Sequence, residues 1–367
     1  MERACIVQGK PPAHVLHLAV VVYKEQHTME IKYPILGIDV SKAKLDVCML
    51  EEGKAPTLLM IPNTPKGFAS LQRSFPAHSV ATWTVCLEAT NVYSTAIAVY
   101  LHEHDATVIL ANPAAVHAYM QAEMRRAKTD KADAASIASF ARAMAEHLRP
   151  WHPLPACYAE LRDLTRRLHD IRKNGARTKN QIEQLQYLTS PAKAAIARSL
   201  RADLAHQQKQ ARAILIALRS CLRKNEDLNR RFERLNSAKG VGEMTALTLM
   251  AEVPNIRQFA HAKQLAAFAG ITPRIRHSGT KTPVSQPISK MGSARLRQAM
   301  YMAALSAKRY NPPLARFAQR LREKGKKPML INIAVARKLL HQLYAIDTHQ
   351  TLFDPNYQNN HIEMGTT

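Results

Sequence analysis

Asp39 closes the apolar run Ile35-Leu36-Gly37-Ile38, and Glu88 closes a second, Val85-Cys86-Leu87. A carboxylate at such a place has no packing reason to be there. Two further acids stand three apart in Lys128-Thr129-Asp130-Lys131-Ala132-Asp133. On a helix that spacing puts Asp130 and Asp133 on one face. Carboxylates held close together repel, and a shared cation relieves the repulsion. Hard oxygen donors of this kind suit Mg²⁺ or Mn²⁺. An ion so held can polarise a phosphate oxygen, the chemistry of cutting or joining a nucleic-acid backbone. The plainer reading of the pair is a helix start, with Asp130 as cap and Asp133 in the first turn. The two roles are compatible.

Charge points the same way. The 367 residues carry 52 Lys and Arg against 28 Asp and Glu, a net charge of +24. Such a surplus implies a polyanionic partner, with nucleic acid first and an acidic membrane surface second. No stretch approaches the roughly 20 apolar residues that span a bilayer. No small-residue cleavage site follows the early run Val15 to Tyr23, so the expected location is cytoplasmic and nucleoid-associated. The five cysteines are scattered without a C-x-x-C pair, which reads as a reduced protein lacking a zinc site. Aromatic residues make up 6%, too few for a single-strand stacking platform. No helix-turn-helix pattern stands out.

The elements that must position the acids follow from periodicity. Residues 1–32 show no pattern and read as an extension. From 33 to 150 the pattern is mixed α/β, with strands expected at 35–40, 44–50, 57–61, 80–88 and 107–110. Helices fit 66–75, 93–104, 114–123 and 130–146. Three strands in close succession, then strand–helix–strand–helix, imply a meander joined to a parallel part. That order matches a ribonuclease H-like architecture, in which neighbouring strand ends gather carboxylates.

Trp151-His152-Pro153-Leu154-Pro155 is a breaker. Beyond it, Leu161, Leu164, Leu168 and Ile171 begin an apolar seam that Leu200, Leu204, Ile214, Leu218 and Leu222 resume after Pro191. The spacing predicts an antiparallel coiled coil or two amphipathic core helices, within a segment spanning 151–234. A mostly helical unit, 235–346, opens on Gly240-Val241-Gly242, either an anion-binding turn or an ordinary one. It expects helices at 293–308 and 329–345. A polar tail follows, 347–367.

These motifs occur in a recognisable order. Gly37-Ile38-Asp39-Val40-Ser41-Lys42, Leu87-Glu88-Ala89-Thr90, Asn112-Pro113 and Lys128 to Ala134 resemble the N-terminal domain of the insertion-sequence one-ten transposase family. Phe268 to Pro273, His277-Ser278-Gly279, Ile288 to Gly292 and Arg295-Leu296-Arg297 resemble its C-terminal domain. Asn91 stands where the family commonly has glycine. The resemblance implies a RuvC-like DEDD recombinase guided by a bridge RNA. It assigns Asp39, Glu88, Asp130 and Asp133 to the metal site and Ser278 to the nucleophile that forms a phosphoserine link with DNA. It also implies at least a homodimer through the coiled coil, acting on element ends and target. Lys42, Arg125, Arg126, Lys128, Arg274, Arg276, Lys281, Lys290, Arg295 and Arg297 lie near the chemical motifs and are the expected phosphate contacts. The leading expectation is a transposase that excises and inserts an element. The alternatives are a DNA invertase of the same family and a junction nuclease, which would need the acids but not Ser278.

Overall fold

The computed structural model describes residues 33–89, 92–123, 130–274 and 287–356, with only the backbone of Asp130 and Lys131. The chain divides into two compact units, Met1–Pro153 and Leu154–Thr367.

The first unit is built on a five-stranded sheet, β1 (Ile35–Val40), β2 (Lys44–Leu50), β3 (Thr57–Pro62), β4 (Thr84–Glu88) and β5 (Thr107–Ala111), in the order β3-β2-β1-β4-β5. β1, β2 and β3 pair antiparallel, whereas β1, β4 and β5 pair parallel. Mixed α/β topology of this kind is consistent with a ribonuclease H-like domain. The helices are α1 (Pro65–Ser74), α2 (Tyr93–Glu103), α3 (Pro113–Ala122) and α4 (Asp130–Ala143). Successive side chains on a strand point to opposite faces, and here both faces are covered, so the inner strands are apolar nearly throughout. On one face Leu36, Ile38, Val47, Val85 and Leu87 pack with Phe68, Leu71, Ile97 and Leu101 of α1 and α2. On the other, Ile35, Cys48, Cys86 and Ile109 pack with Val116 of α3 and Ala134, Ile137, Phe140 and Ala141 of α4. β3 is a largely exposed edge that stops at Pro62, which cannot donate to a further ladder.

The strand expected over 80–88 is shorter. Val80–Thr82 forms a 3₁₀ turn that buries Val80, and the ladder begins only at Thr84. The helix expected to reach 146 ends at Ala143, with a 3₁₀ turn following over Ala145–His147.

The second unit is helical, with α5 (Ala156–Gln184), α6 (Lys193–Lys224), α7 (Glu226–Asn236), α8 (Glu243–Glu252), α9 (Ala262–Phe268), α10 (Ala294–Tyr310), α11 (Pro312–Glu323) and α12 (Pro328–His349). α5 and α6 form an antiparallel hairpin, in which the Cys221 thiol lies 3.8 Å from the Cys157 carbonyl and Gln207 donates to Thr178 Oγ1. The seam does not continue unbroken beyond Lys224. Asn225 ends α6 and caps α7 by accepting from Leu228 N–H at 3.0 Å. α8 is buried nearly all round, as a central helix must be. A buried ion pair ties α7 to α12: Arg231 donates to Asp347 at 2.7 Å, and also to Tyr158 Oη and the carbonyls of Val253 and Pro254. Gly240 has φ of +93°, and a Cβ there would lie 2.4 Å from Ala307 Cα. Gly240 therefore serves close packing against α10, whereas a Cβ at Gly242 would meet nothing within 4 Å.

Candidate carboxylate site and DNA-handling surfaces

The sheet places Asp39 and Glu88 side by side. β1 and β4 run parallel with Ile38 opposite Leu87, so the next residues fall in step: Asp39, the last but one of β1, and Glu88, the last of β4. Ile35 and Cys86 belong to the face covered by α3 and α4. Counting in twos along each strand puts Asp39 and Glu88 on that same face. The Cys86 thiol reports this environment: burial pushes it up to about 12, and the charge of Glu88 adds to the rise.

α4 comes very close to β1. A Cβ at Gly37 would stand 2.3 Å from the Ala134 carbonyl oxygen and 2.3 Å from the Ala138 nitrogen. Only glycine permits this approach. It brings the start of α4, where Asp133 precedes Ala134, against β1, the strand that carries Asp39. Asp130 is the first residue of α4. The turn after β1 is held by Ser41 N–H to the Lys44 carbonyl at 3.0 Å, while Asn63 Nδ2 donates to the Ser41 carbonyl at 2.9 Å. Lys42 is exposed on that turn. Asn112 caps α3 through Ala114 N–H, with Pro113 in the first turn, directly after the β5 residue that pairs with Glu88.

One acid escaped the sequence reading. Asp46 lies directly opposite Asp39 in the β1–β2 register and is only 3% exposed. Its parity with Cys48 puts it on the same face. Like charges opposite one another in a sheet destabilise it. Lys44 Nζ, 3.0 Å from Asp46 Oδ2, offsets that cost. The signal available in the sequence was a charge pair at i and i+2 inside a strand apolar on both faces.

Among the described residues, no three Asp, Glu, His or Cys side chains form a group that could hold a metal ion. Asp39, Glu88 and Asp133 therefore do not close a site by themselves, and the side chain of Asp130 lies outside the described residues. The donor chemistry nonetheless fits a hard cation: carboxylate oxygens from two adjacent strand ends and from a helix packed on the same face.

Arg125, Arg126, Lys128, Arg276, Ser278 and Lys281 also lie outside the described residues. The arms flanking 275–286 are described, and they pair: Arg274 N–H donates to the Pro287 carbonyl at 3.0 Å and Ser289 N–H to the Thr272 carbonyl at 2.8 Å. Arg274 and Lys290 are exposed on these arms. Arg297 is committed to the same loop, donating to the carbonyls of Ala269 and Lys290. Arg295 is half-buried, with its Nε buried and unpartnered.

Comparison with known proteins agrees with this architecture. Residues 36–191 match the DEDD transposase model of IS110, described as a transposase, and residues 232–319 match the transposase family IS116/IS110/IS902. The chain belongs to the IS110 transposase family. The chain is 28% identical over 324 residues to the pilin gene-inverting protein of Moraxella bovis, covering 87% of the chain and 97% of that protein. The protein of the same name from Moraxella lacunata matches equally, at 28% over 324 residues. The transposase for insertion sequence element IS1111A of Coxiella burnetii is 39% identical over 93 residues, 25% of the chain and 24% of that protein. The family makes the chain a DNA-recombining enzyme. No described helix is long and apolar enough to cross a membrane.

Proposed function

We propose that this protein excises and inserts an element by divalent-metal-dependent strand cleavage and rejoining, through a covalent link to Ser278, at targets chosen by a guide RNA. The observation that carries the reading is the pairing of β1 with β4, whose parallel ends bring Asp39 and Glu88 together on the face that α4 covers. Asp39, Glu88, Asp130 and Asp133 would hold Mg²⁺ or Mn²⁺. When bound, the ion polarises the scissile phosphate and favours the ionised form of the attacking hydroxyl. Ser278 supplies that hydroxyl. Its Oγ–P bond forms as a P–O bond of the strand breaks, and the departing sugar hydroxyl takes up a proton. The phosphoester bond is conserved in the serine link, so attack by a second strand end rejoins DNA without an outside energy source. Lys42, Arg125, Arg126, Lys128, Arg274, Arg276, Lys281, Lys290 and Arg295 hold phosphates in register.

The α5–α6 hairpin serves as the dimerisation coiled coil. Supporting this, Ile216 is 65% exposed on it, and Leu200 and Leu204 are only half-buried. Guide-RNA pairing rests on the family resemblance and on the missing helix-turn-helix signature. A second reading, a DNA invertase, is favoured by the match to the Moraxella gene-inverting proteins over 97% of their length.

The test is incubation with the guide RNA, end-containing duplex and Mg²⁺, followed by denaturing detection of a protein–DNA adduct. Ser278→Ala should lose the adduct and keep DNA binding; an adduct that persists rejects the serine assignment. A substrate with two inverted sites separates the readings, since a transposase releases an excised element and an invertase returns the segment flipped.

A further inference from the structure

We infer that a groove on the helical unit, walled by α11 and the C-terminal part of α10, seats the phosphate backbone of duplex DNA. The groove has a volume of about 760 Å³, and Lys308, Pro313, Arg316, Gln319, Arg320 and Arg322 line it. Arg316, Arg320 and Arg322 are exposed. Arg316 and Arg320 stand four apart, so they share one face of α11 and repel each other.

The surroundings leave this charge uncompensated. Between residues 294 and 338 the sequence has twelve Lys and Arg against one acid, Glu323. Glu323 accepts from the Gln319 amide at 3.0 Å, and Arg322 donates to Gln319 Oε1 at 3.3 Å. Lys308 is held by the nearly buried Asn332, whose Oδ1 accepts from Nζ at 2.8 Å. The ammonium is thus fixed at the groove wall. The cations stand on a firm base, because Leu314 and Ala318 anchor the opposite face of α11 in the core. A cluster of this kind is stabilised by a polyanion and by little else.

Backbone contact to a duplex fits better than capture of single strands. The lining contains no aromatic ring on which a base could stack. Guanidinium groups bind phosphate oxygens in a two-pronged manner, and such contacts position a duplex without reading its sequence. The proposal rests on DNA being the substrate, and not on the carboxylate or serine assignments.

The test uses the full chain and fluorescence anisotropy with a labelled random-sequence DNA duplex, titrated at salt concentrations between about 50 and 200 mM. Arg316→Gln/Arg320→Gln/Arg322→Gln should weaken binding at low salt by at least about tenfold. The log–log salt slope should fall by about 2–3, at roughly 0.9 for each phosphate no longer neutralised. Arg316→Lys/Arg320→Lys/Arg322→Lys should recover most of the slope. Arg198→Gln/Arg201→Gln/Lys209→Gln removes the same charge from exposed positions of α6 and should change the slope little. Equal losses in the two glutamine triples, an unchanged slope, or a loss confined to an RNA duplex of the same length would overturn the proposal. Asp39→Asn keeps the two readings apart: it should abolish cleavage and leave the salt slope unaltered.

Discussion

Replacing Gly37 by alanine tests how tightly the sheet and α4 must fit. The added Cβ would lie 2.3 Å from the Ala134 carbonyl oxygen, 2.3 Å from the Ala138 nitrogen and 2.8 Å from the Ala138 Cβ. Comfortable separations between such atoms are about 3.5 Å, so α4 has to retreat by roughly 1 Å. The obstructing atoms are helix backbone and cannot rotate away. Overpacking of this kind costs about 1–3 kcal/mol. At about 2–4 °C per kcal/mol, the melting temperature should fall by several degrees. The larger effect is on chemistry. A shift of about 1 Å in a positioned group can cost on the order of 10²-fold in rate. Gly37→Ala should therefore remain folded but cleave end-containing DNA about a hundredfold more slowly. Adding Ala138→Gly removes only the 2.8 Å contact and should restore little. Wild-type cleavage with an unchanged melting temperature would refute the claim that this contact positions the α4 acids.

Lys44→Met removes the cation beside buried Asp46. Because Lys44 is partly exposed, the expected cost is about 1–3 kcal/mol in urea unfolding, and Lys44→Met/Asp46→Asn should recover much of it. Arg231→Met leaves Asp347 buried without its guanidinium, for a loss of about 3–5 kcal/mol, whereas Arg231→Met/Asp347→Leu should be milder than the single change. His341 is held down to about 4 by burial first, then by Arg337, Lys338 and Lys263. The unfolded chain binds that proton more tightly, so stability should fall as pH drops from about 6.5 towards 4, and His341→Gln should flatten this part of the profile.

The sheet was the most legible part of the chain. Alternation in Leu45, Val47 and Met49 reads as a half-buried strand, and the strand is there, but Asp46, Cys48 and Leu50 on its other face are buried as well. Element ends were harder, because local chemistry sets them. Asn225 both stops α6 and caps α7, which no seam of leucines reveals. Asn311-Pro312-Pro313 looks like a breaker but starts α11: Asn311 accepts from Leu314 N–H, and proline suits the first turn. The groove built on α11 was hidden for the same reason. Asp39 and Glu88 stood out because they interrupt apolar runs. Asp46 did not, since it falls between Leu45 and Val47 in an alternating pattern where a polar residue is expected, and only the register shows it facing Asp39.

The proposed function requires Asp39 and Glu88 to share a divalent cation. Manganese binding to the full chain, followed by electron paramagnetic resonance without DNA, reads it directly. Wild-type protein should take up Mn²⁺ with a resolved affinity, and Asp39→Asn and Glu88→Gln should each weaken it at least about tenfold while the fold persists. Uptake in both variants indistinguishable from wild type would contradict the account.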